Sequence, residues 1–263
     1  GTCVLPSAER STRRNERQSQ RIFFGLNLQP SRSEFLDING LRYHLRSWGE
    51  PDHPTLVLLH GWMDNSASFQ FLVDALMRER IGAWRFVAPD WRGFGRSQWA
   101  SDGVYAYPSY FADLDALLNV LSPRAPVSIV GHSLGANIGS WYAALRTHRV
   151  RSVVNIEGFG LRVRPITETP TYMRAWLDDV ARTPERRPYP TLDAIVERVR
   201  ELTDYLDEAR ARFVASHWAE RTRDGHFRLR ADPSHRRIAP HMFRLDEARA
   251  MWRAIEAPLL WIE

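Results

Sequence analysis

The feature that most constrains this chain is a Gly-His-Ser-Leu-Gly motif at residues 131–135, directly after the apolar run of residues 126–130. This order predicts a strand, a sharp turn and a helix, the setting in which a G-x-S-x-G motif presents a serine on a strained turn. Side chains two residues before and after the serine would collide with such a turn, so glycine is needed at both places. The turn also directs the backbone N–H of Leu134 toward the place where an oxyanion would form.

Composition limits the classes of protein to which the chain can belong. Its 263 residues, 44% of them hydrophobic, suffice for one large domain or for a core with an insertion. No apolar run approaches the roughly eighteen residues that a membrane span needs. The single cysteine, Cys3, excludes an internal disulfide, which fits a reducing compartment. We therefore expect a cytoplasmic globular protein without a membrane partner.

The excess of basic residues lies in the first part of the chain. The formal net charge is +5 and the pI is about 9.8. Residues 1–33 contain six arginines and two glutamates, which gives +4, so the rest of the chain carries only +1. Charges of both signs alternate there, which argues against a nucleic-acid partner. Residues 1–33 lack periodicity and are predicted to be a disordered or misassigned extension, with a transit-like peptide as the alternative.

Residues 34–160 alternate between predicted strands and predicted helices. Asn39-Gly40 lies between two short apolar segments and predicts a β-hairpin. Continuous apolar runs such as Thr55–Leu59 predict buried central strands. Alternation of this regularity predicts an α/β fold, in which a mostly parallel sheet carries helices on both faces.

The pattern changes after residue 160. Residues 161–255 show amphipathic helical spacing without a convincing strand, and a strand-like run resumes at Pro258–Ile262. A helical segment between two strands of one sheet predicts a cap over the site. Residues 256–263 are then the return to the core.

Three motifs follow three successive buried strands. Leu-Leu-His-Gly-Trp at residues 58–62 ends one strand, Asp-Trp-Arg-Gly-Phe-Gly-Arg-Ser at residues 90–97 ends the next, and the motif of residues 131–135 ends the third. Open α/β sheets bind ligands at the carboxyl ends of parallel strands. Together the motifs resemble the α/β-hydrolase fold family over about residues 34–262, and the inserted segment is similar to its serine hydrolase-like branch.

The resemblance implies a role for each motif residue. Ser133 matches the nucleophile of the family, and the backbone N–H groups of Leu134 and Trp62 match its two oxyanion donors. His60 matches a residue that braces the oxyanion loop rather than the general base. The further residues expected to support the site are Gly61, Asp90, Gly131, His132 and Gly135.

A serine hydroxyl also needs a histidine as base and a carboxylate that orients it. In this fold the acid and then the histidine follow the serine along the chain. The resemblance puts the acid just after the strand at Pro258–Ile262 and the histidine one strand later, so a chain ending at Glu263 is expected to be truncated before both. Glu157, at the end of the sixth predicted strand, is an earlier candidate for the acid, and Glu263 is another. The histidines of residues 161–255 are predicted to be surface or packing residues.

These residues predict a carboxylesterase-type serine hydrolase that cleaves a small or medium acyl ester through an acyl-enzyme on Ser133. Two alternatives stay open: a carbon–carbon bond hydrolase with the same nucleophile, and a non-catalytic binding protein or inactive fragment. No cluster of His, Cys and Asp has metal-ligand spacing, so neither a metal nor another cofactor is expected. The expected partner is a small-molecule ester, and the sequence does not fix the oligomeric state.

Overall fold

The computed structural model describes residues 26–184, 187–203 and 205–263. These residues form one seven-stranded sheet with helices on both faces, and an insertion that carries a small two-stranded sheet. The disorder predicted for the start of the chain lies outside the described residues as far as residue 25.

Residues 26–33 belong to the fold, which corrects the boundary predicted at residue 33. Leu26 and Leu28 pack against an apolar cluster of the insertion, and Arg32 already begins the first strand. The apolar side chains of Leu26 and Leu28, at alternate positions, allow this short segment to pack against that cluster. The Arg- and Ser-rich composition of the preceding residues concealed that signal.

The main sheet has the strand order β1-β2-β4-β3-β5-β6-β9. Its strands are β1 Arg32–Ile38, β2 Leu41–Trp48, β3 Thr55–Leu59, β4 Arg85–Pro89, β5 Val127–His132, β6 Val150–Ile156 and β9 Leu259–Ile262. Strands β1 and β2 pair antiparallel with each other, β2 pairs antiparallel with β4, and the remaining neighbours are parallel. The predicted hairpin turns at Asn39 (φ 48°) and Gly40 (φ 78°), the positive φ values that a type I′ turn requires.

Three helices cover the two faces of the sheet. They are α1 Gln70–Arg78, which follows a 3₁₀ turn at Ser66–Phe69, α2 Tyr107–Leu121 and α3 Leu134–Leu145. Val73 of α1 packs with Trp48 and Leu58 on one face, and Leu114 of α2 packs with Ile129 on the other. The α/β architecture with helices on both faces is therefore confirmed.

The insertion connects β6 to β9. It contains α4 Thr169–Val180, α5 Leu192–Leu202, α6 Glu208–Trp218, β7 Ala219–Arg221, β8 Phe227–Leu229 and α7 Leu245–Arg253. The antiparallel pair β7–β8 corrects the expectation that this segment has no strand. Each strand has only three residues, which is too short for an alternating pattern to be recognised. Within the described ranges, no helix combines the length and apolarity that crossing a bilayer demands.

Backbone hydrogen bonds fasten the insertion to the loop after β4. The N–H of Gly95 donates to Arg230 O at 2.7 Å, and the N–H of Asp232 donates to Gly93 O at 2.8 Å. Phe94 and Ala231, which lie between these partners, form an antiparallel bridge. The insertion therefore lies over the carboxyl ends of the parallel strands.

Candidate active site

Ser133 lies between β5 and α3 with φ 48° and ψ −110°. An L residue rarely adopts this conformation, and holding it costs about 1–3 kcal/mol. Two backbone hydrogen bonds fix the turn: Ser133 N–H donates to Ile156 O at 2.8 Å, and Ser133 O accepts from Asn137 N–H at 3.0 Å. The structure therefore places a strained serine where the motif predicted one.

The two glycines of the motif allow α3 to pack directly on the strand ends. A Cβ on Gly131 would lie 2.5 Å from Ala136 Cα, and a Cβ on Gly135 would lie 2.1 Å from Leu59 O. Both contacts are with backbone atoms, which cannot rotate away. This close approach brings Ser133 next to the loop that follows β3, residues 60–65, which we call the β3 loop.

His60 orients one peptide group of the β3 loop. It is fully buried, and its Nε2 accepts a hydrogen bond from Trp91 N–H at 2.9 Å. The ring proton therefore lies on Nδ1, which donates to Gly61 O at 2.8 Å. Carbonyl and N–H point in opposite directions across a trans peptide bond, so the N–H of Trp62 points away from His60. Burial lowers the pKa of His60 and keeps the ring neutral, as a bracing role requires.

The two predicted oxyanion donors adjoin Ser133 from different elements. The N–H of Leu134 is the first N–H of α3. The first N–H groups of a helix have no acceptor within the helix, and the N-terminus is the positive end of the helix dipole. Trp62 belongs to the β3 loop, which lies close to Ser133. A Cβ on the preceding residue, Gly61, would lie 3.5 Å from Ser133 Cβ. The same Cβ would lie 2.7 Å from His132 Nδ1, so His132 also packs on this loop.

Asp90 holds three parts of the core together. Its Oδ2 contacts His44 Nδ1 at 2.7 Å and accepts from Arg96 N–H at 2.8 Å, while its Oδ1 accepts from Ser66 N–H at 2.7 Å. Burial would raise the pKa of Asp90, but His44 and these hydrogen bonds hold it below its usual value. The carboxylate supports the loops around the site and contacts neither Ser133 nor its turn.

Glu157 follows β6 with φ 56°. Its Oε2 lies 3.6 Å from His132 Nε2, and both side chains are largely exposed. Its backbone N–H donates to Ile262 O at 2.9 Å, so the ends of β6 and β9 lie side by side, and Glu263 follows at the same edge. Glu157 therefore faces His132, the residue before Ser133 in the motif. The role of Glu157 as the catalytic acid stays a prediction.

The histidines of the insertion are held in other contacts. His235 is stacked between two aromatic rings, and burial lowers its pKa to about 3. His217 contacts a carbonyl of its own helix at 2.9 Å, and burial lowers its pKa to about 4. His226 pairs with an exposed aspartate, and His241 is exposed. Among the described residues, no three His, Cys, Asp or Glu side chains are arranged to hold a metal ion.

Three side-chain hydrogen bonds tie the β3 loop to the insertion, and sequence reasoning missed all of them. They join Trp62 Nε1 to His235 O (3.3 Å), Asn65 Nδ2 to His217 O (3.1 Å) and Trp218 Nε1 to Asp64 Oδ1 (2.9 Å). The available signal was the pair Asp64-Asn65, which only Met63 separates from the His-Gly-Trp motif, because such side chains favour turns and caps. Asn65 Oδ1 indeed caps the following 3₁₀ turn.

A cavity of about 620 Å³ lies between the β3 loop and the insertion. Trp62 and Met63 form its wall on the loop side, and Trp218 forms part of the opposite wall. Ser133 is not in the wall but adjoins it through the peptide of Trp62. The cavity is therefore placed to hold the part of a ligand that extends from the serine.

Residues 54–223 match the family of the α/β hydrolase fold. The chain belongs to the α/β-hydrolase fold family, and the fold and the family expected from the three motifs are confirmed.

The comparisons extend this likeness to particular proteins. The chain is 36% identical over 188 residues to a serine hydrolase-like protein of Danio rerio, a match covering 68% of this chain and 55% of that protein. The chain thus spans about half the length of that curated relative. A thioesterase domain from the curacin biosynthetic pathway superposes with a TM-score of 0.79 at 23% identity, over 89% of this chain and 82% of that one. An esterase of Mycobacterium tuberculosis superposes with a TM-score of 0.63 at 21% identity, over 99% and 80%. At these identities the two structures show a shared fold alone.

Proposed function

We propose that this protein is a serine hydrolase that cleaves esters of small or medium acyl groups through an acyl-enzyme on Ser133. Ser133 Oγ attacks the carbonyl carbon, and the N–H groups of Leu134 and Trp62 stabilise the oxyanion. The C–O bond to the alcohol breaks, and the alcohol leaves with a proton. Water then hydrolyses the acyl-enzyme, which releases the acid. Each oxyanion donor contributes roughly 3–4 kcal/mol in comparable sites.

The observation that carries this proposal is the backbone strain at Ser133, at the N-terminus of α3, which supports the interpretation of this turn as a nucleophile elbow. A non-glycine residue at φ 48° persists only where its surroundings over-determine it, and such residues cluster at functional sites. The buried hydrogen bond from His60 to Gly61 O is the second support, because it turns the N–H of Trp62 away from the core.

The general base and the acid come into the proposal from the family resemblance. The resemblance puts both after β9. Strand β9 runs parallel to β6 and ends at Ile262, whose carbonyl accepts from Glu157 N–H. Ser133 N–H donates to Ile156 O at the end of β6, which lies beside the end of β9. Residues that follow β9 in the natural protein would therefore begin at the edge of the sheet where Ser133 lies. Glu157 is the alternative acid in this proposal.

The substrate class, the cellular location and the partners of the protein are also proposals. The thioesterase and the esterase that share the fold suggest a panel containing both oxygen esters and thioesters. A cytoplasmic location and a small-molecule substrate, without nucleic-acid or membrane partners, stay predictions from composition.

The test is covalent labelling of the full natural protein with a fluorophosphonate, which reacts with an activated serine. The expected result is one labelled serine, loss of labelling in Ser133→Ala, and unchanged labelling in Ser101→Ala, a substitution of an exposed loop serine. Turnover of p-nitrophenyl esters from acetate to decanoate, and of the matching thioesters, then defines the acyl group. Persistent labelling of Ser133→Ala would refute the assignment, and absence of any labelling would favour the non-catalytic binding protein.

A further inference from the structure

The cavity beside the β3 loop has walls that are aromatic and apolar. Trp62, Met63, Trp99, Trp218 and Leu229 all contribute to them. Ligand sites typically combine such walls with a few polar groups that fix the orientation of the ligand. The polar groups of this cavity therefore indicate what it binds.

Those polar groups are mostly cationic. Four arginines line the cavity, namely Arg187, Arg198, Arg228 and Arg236. The one carboxylate in the lining, Asp232, is buried and already accepts hydrogen bonds from Tyr105 Oη at 2.6 Å and from the backbone of Ser234 at 2.9 Å. Asp232 thus helps to hold the insertion on the core, and its single negative charge offsets only one of the four positive charges.

Carboxylates outside the lining pair with two of these arginines. Glu220 is shared, because it pairs with Arg228 at 2.5 Å and with Arg230 at 3.5 Å. Glu201 pairs with Arg198 at 3.0 Å, but both side chains are more than half exposed, where an ion pair is weak. Burial lowers the pKa of Arg230, and Arg96 and Arg228 add to this shift, whereas Glu220 and Asp90 oppose it. Among the described residues, and without counting Arg187, four arginines at positions 198, 228, 230 and 236 therefore face three carboxylates at positions 201, 220 and 232.

We propose that the cavity binds the anionic end of an apolar or aromatic ligand, a carboxylate or a phosphate, and that the substrate of Ser133 carries such a group on its acyl or leaving part. The planar guanidinium of arginine suits both groups, because its N–H donors match two oxygens at once. Trp62 links the two places, since its side chain lines the cavity and its peptide adjoins Ser133. The binding claim stands by itself, while the substrate claim rests on the proposed function.

Binding can be measured without turnover, because three tryptophans line the cavity and report on it by fluorescence. The probes are phenylacetate and phenyl phosphate, with phenylacetamide as the neutral match, titrated into the full protein carrying Ser133→Ala. The expected result is that at least one anion binds roughly tenfold more tightly than the amide, and that added salt weakens only the anion. Tighter binding of phenyl phosphate assigns a phosphate ligand, and tighter binding of phenylacetate assigns a carboxylate.

Charge-removing variants locate the anion. Arg236→Gln and Arg198→Gln are each expected to weaken the anion about threefold to tenfold and to leave the amide unchanged. Arg249→Gln, on the exposed side of α7, is the matched control and should change neither. Circular dichroism verifies that each variant is folded.

Two results would overturn the inference. One is equal affinity for the amide and both anions, and the other is unchanged anion affinity in both cavity variants. Neither result bears on fluorophosphonate labelling of Ser133, so a failure here is separate from a failure of the proposed function.

Discussion

Trp218 Nε1 donates a hydrogen bond to Asp64 Oδ1 at 2.9 Å, and this contact joins the insertion to the β3 loop. Trp218 is the last residue of α6 and lines the cavity, whereas Asp64 lies two residues after Trp62. Met63, between them, has φ 60°, so the loop is strained where it presents the proposed oxyanion donor. Movement of the insertion would therefore displace the backbone N–H of Trp62, the proposed oxyanion donor.

The substitution Trp218→Phe tests this coupling. It retains the aromatic wall but removes the indole N–H, and a hydrogen bond to a charged group contributes about 1.5–3 kcal/mol. We expect the second-order rate constant of fluorophosphonate labelling at Ser133 to fall about threefold to tenfold, and the free energy of unfolding to fall by up to about 3 kcal/mol. Trp176→Phe, in α4 and outside the cavity wall, is the control. Equal rates for the parent and both variants would show that the β3 loop does not depend on this bond.

The sequence predicted the core well because its central strands are continuous apolar runs, and three of them, β3, β4 and β5, are followed by glycine-containing motifs. Thr55–Leu59 was predicted with the bounds that the structure gives it. The pair β7–β8 was missed because each strand has only three residues, and Phe227 of β8 also forms a bridge with Tyr189, far from it in the sequence. A local pattern cannot reveal such pairing.

The site was predicted in part for the same reason. Ser133, Leu134 and Trp62 lie in local motifs, and the resemblance of these motifs to the α/β-hydrolase fold family implied their roles. The contact of Asp64 with Trp218 spans 154 residues of sequence, and only the folded chain brings the two together. The neutral state of His60 likewise follows from burial and from its two partners, which the motif does not specify.

Gly135 is expected to tolerate no side chain. In Gly135→Ala the new methyl would meet the backbone oxygen of Leu59, and neither the helix nor the strand can yield, so we expect a loss of about 3 kcal/mol or more in the free energy of unfolding. In Gly139→Ala, one turn later, the methyl meets only side-chain methyls of Ile129 and Leu59. Removing a helical glycine gains about 1 kcal/mol, which offsets part of the cost of moving these side chains. Urea unfolding of both variants measures the difference, and similar losses would contradict the packing argument.

Asp113 is expected to stabilise the fold far more than Asp115 on the same helix. Asp113 is fully buried, and it accepts two hydrogen bonds from Arg92, at 2.6 and 2.8 Å, and another from Tyr43 Oη. Breaking a buried pair leaves a charge uncompensated, so Asp113→Asn should cost about 3 kcal/mol or more. Asp115 pairs with the exposed Arg146, so Asp115→Asn should cost less than about 1 kcal/mol. Chemical denaturation at neutral pH checks both values.

The buried histidines of the insertion should make stability depend on pH. Burial lowers the pKa of His235 to about 3 and that of His217 to about 4, below the 6.5 of an unfolded chain. Between these values the unfolded chain binds protons that the folded chain does not. The stability is therefore fully present above pH 6.5 and decreases as the pH falls toward 4, by about 1.4 kcal/mol per pH unit for each histidine.

The substitution His235→Phe isolates one of these contributions. Phenylalanine can keep the stacking on Phe94 and Tyr105 but cannot take up a proton. The loss of the hydrogen bond to Arg92 O lowers stability at every pH, whereas the slope between pH 6 and 4.5 should decrease by about 1.4 kcal/mol per unit. Urea unfolding across this range measures the slope, with His148→Gln as a substitution of an exposed histidine for comparison. An unchanged slope in His235→Phe would mean that His235 is already protonated in the folded protein, which its place between two rings should prevent.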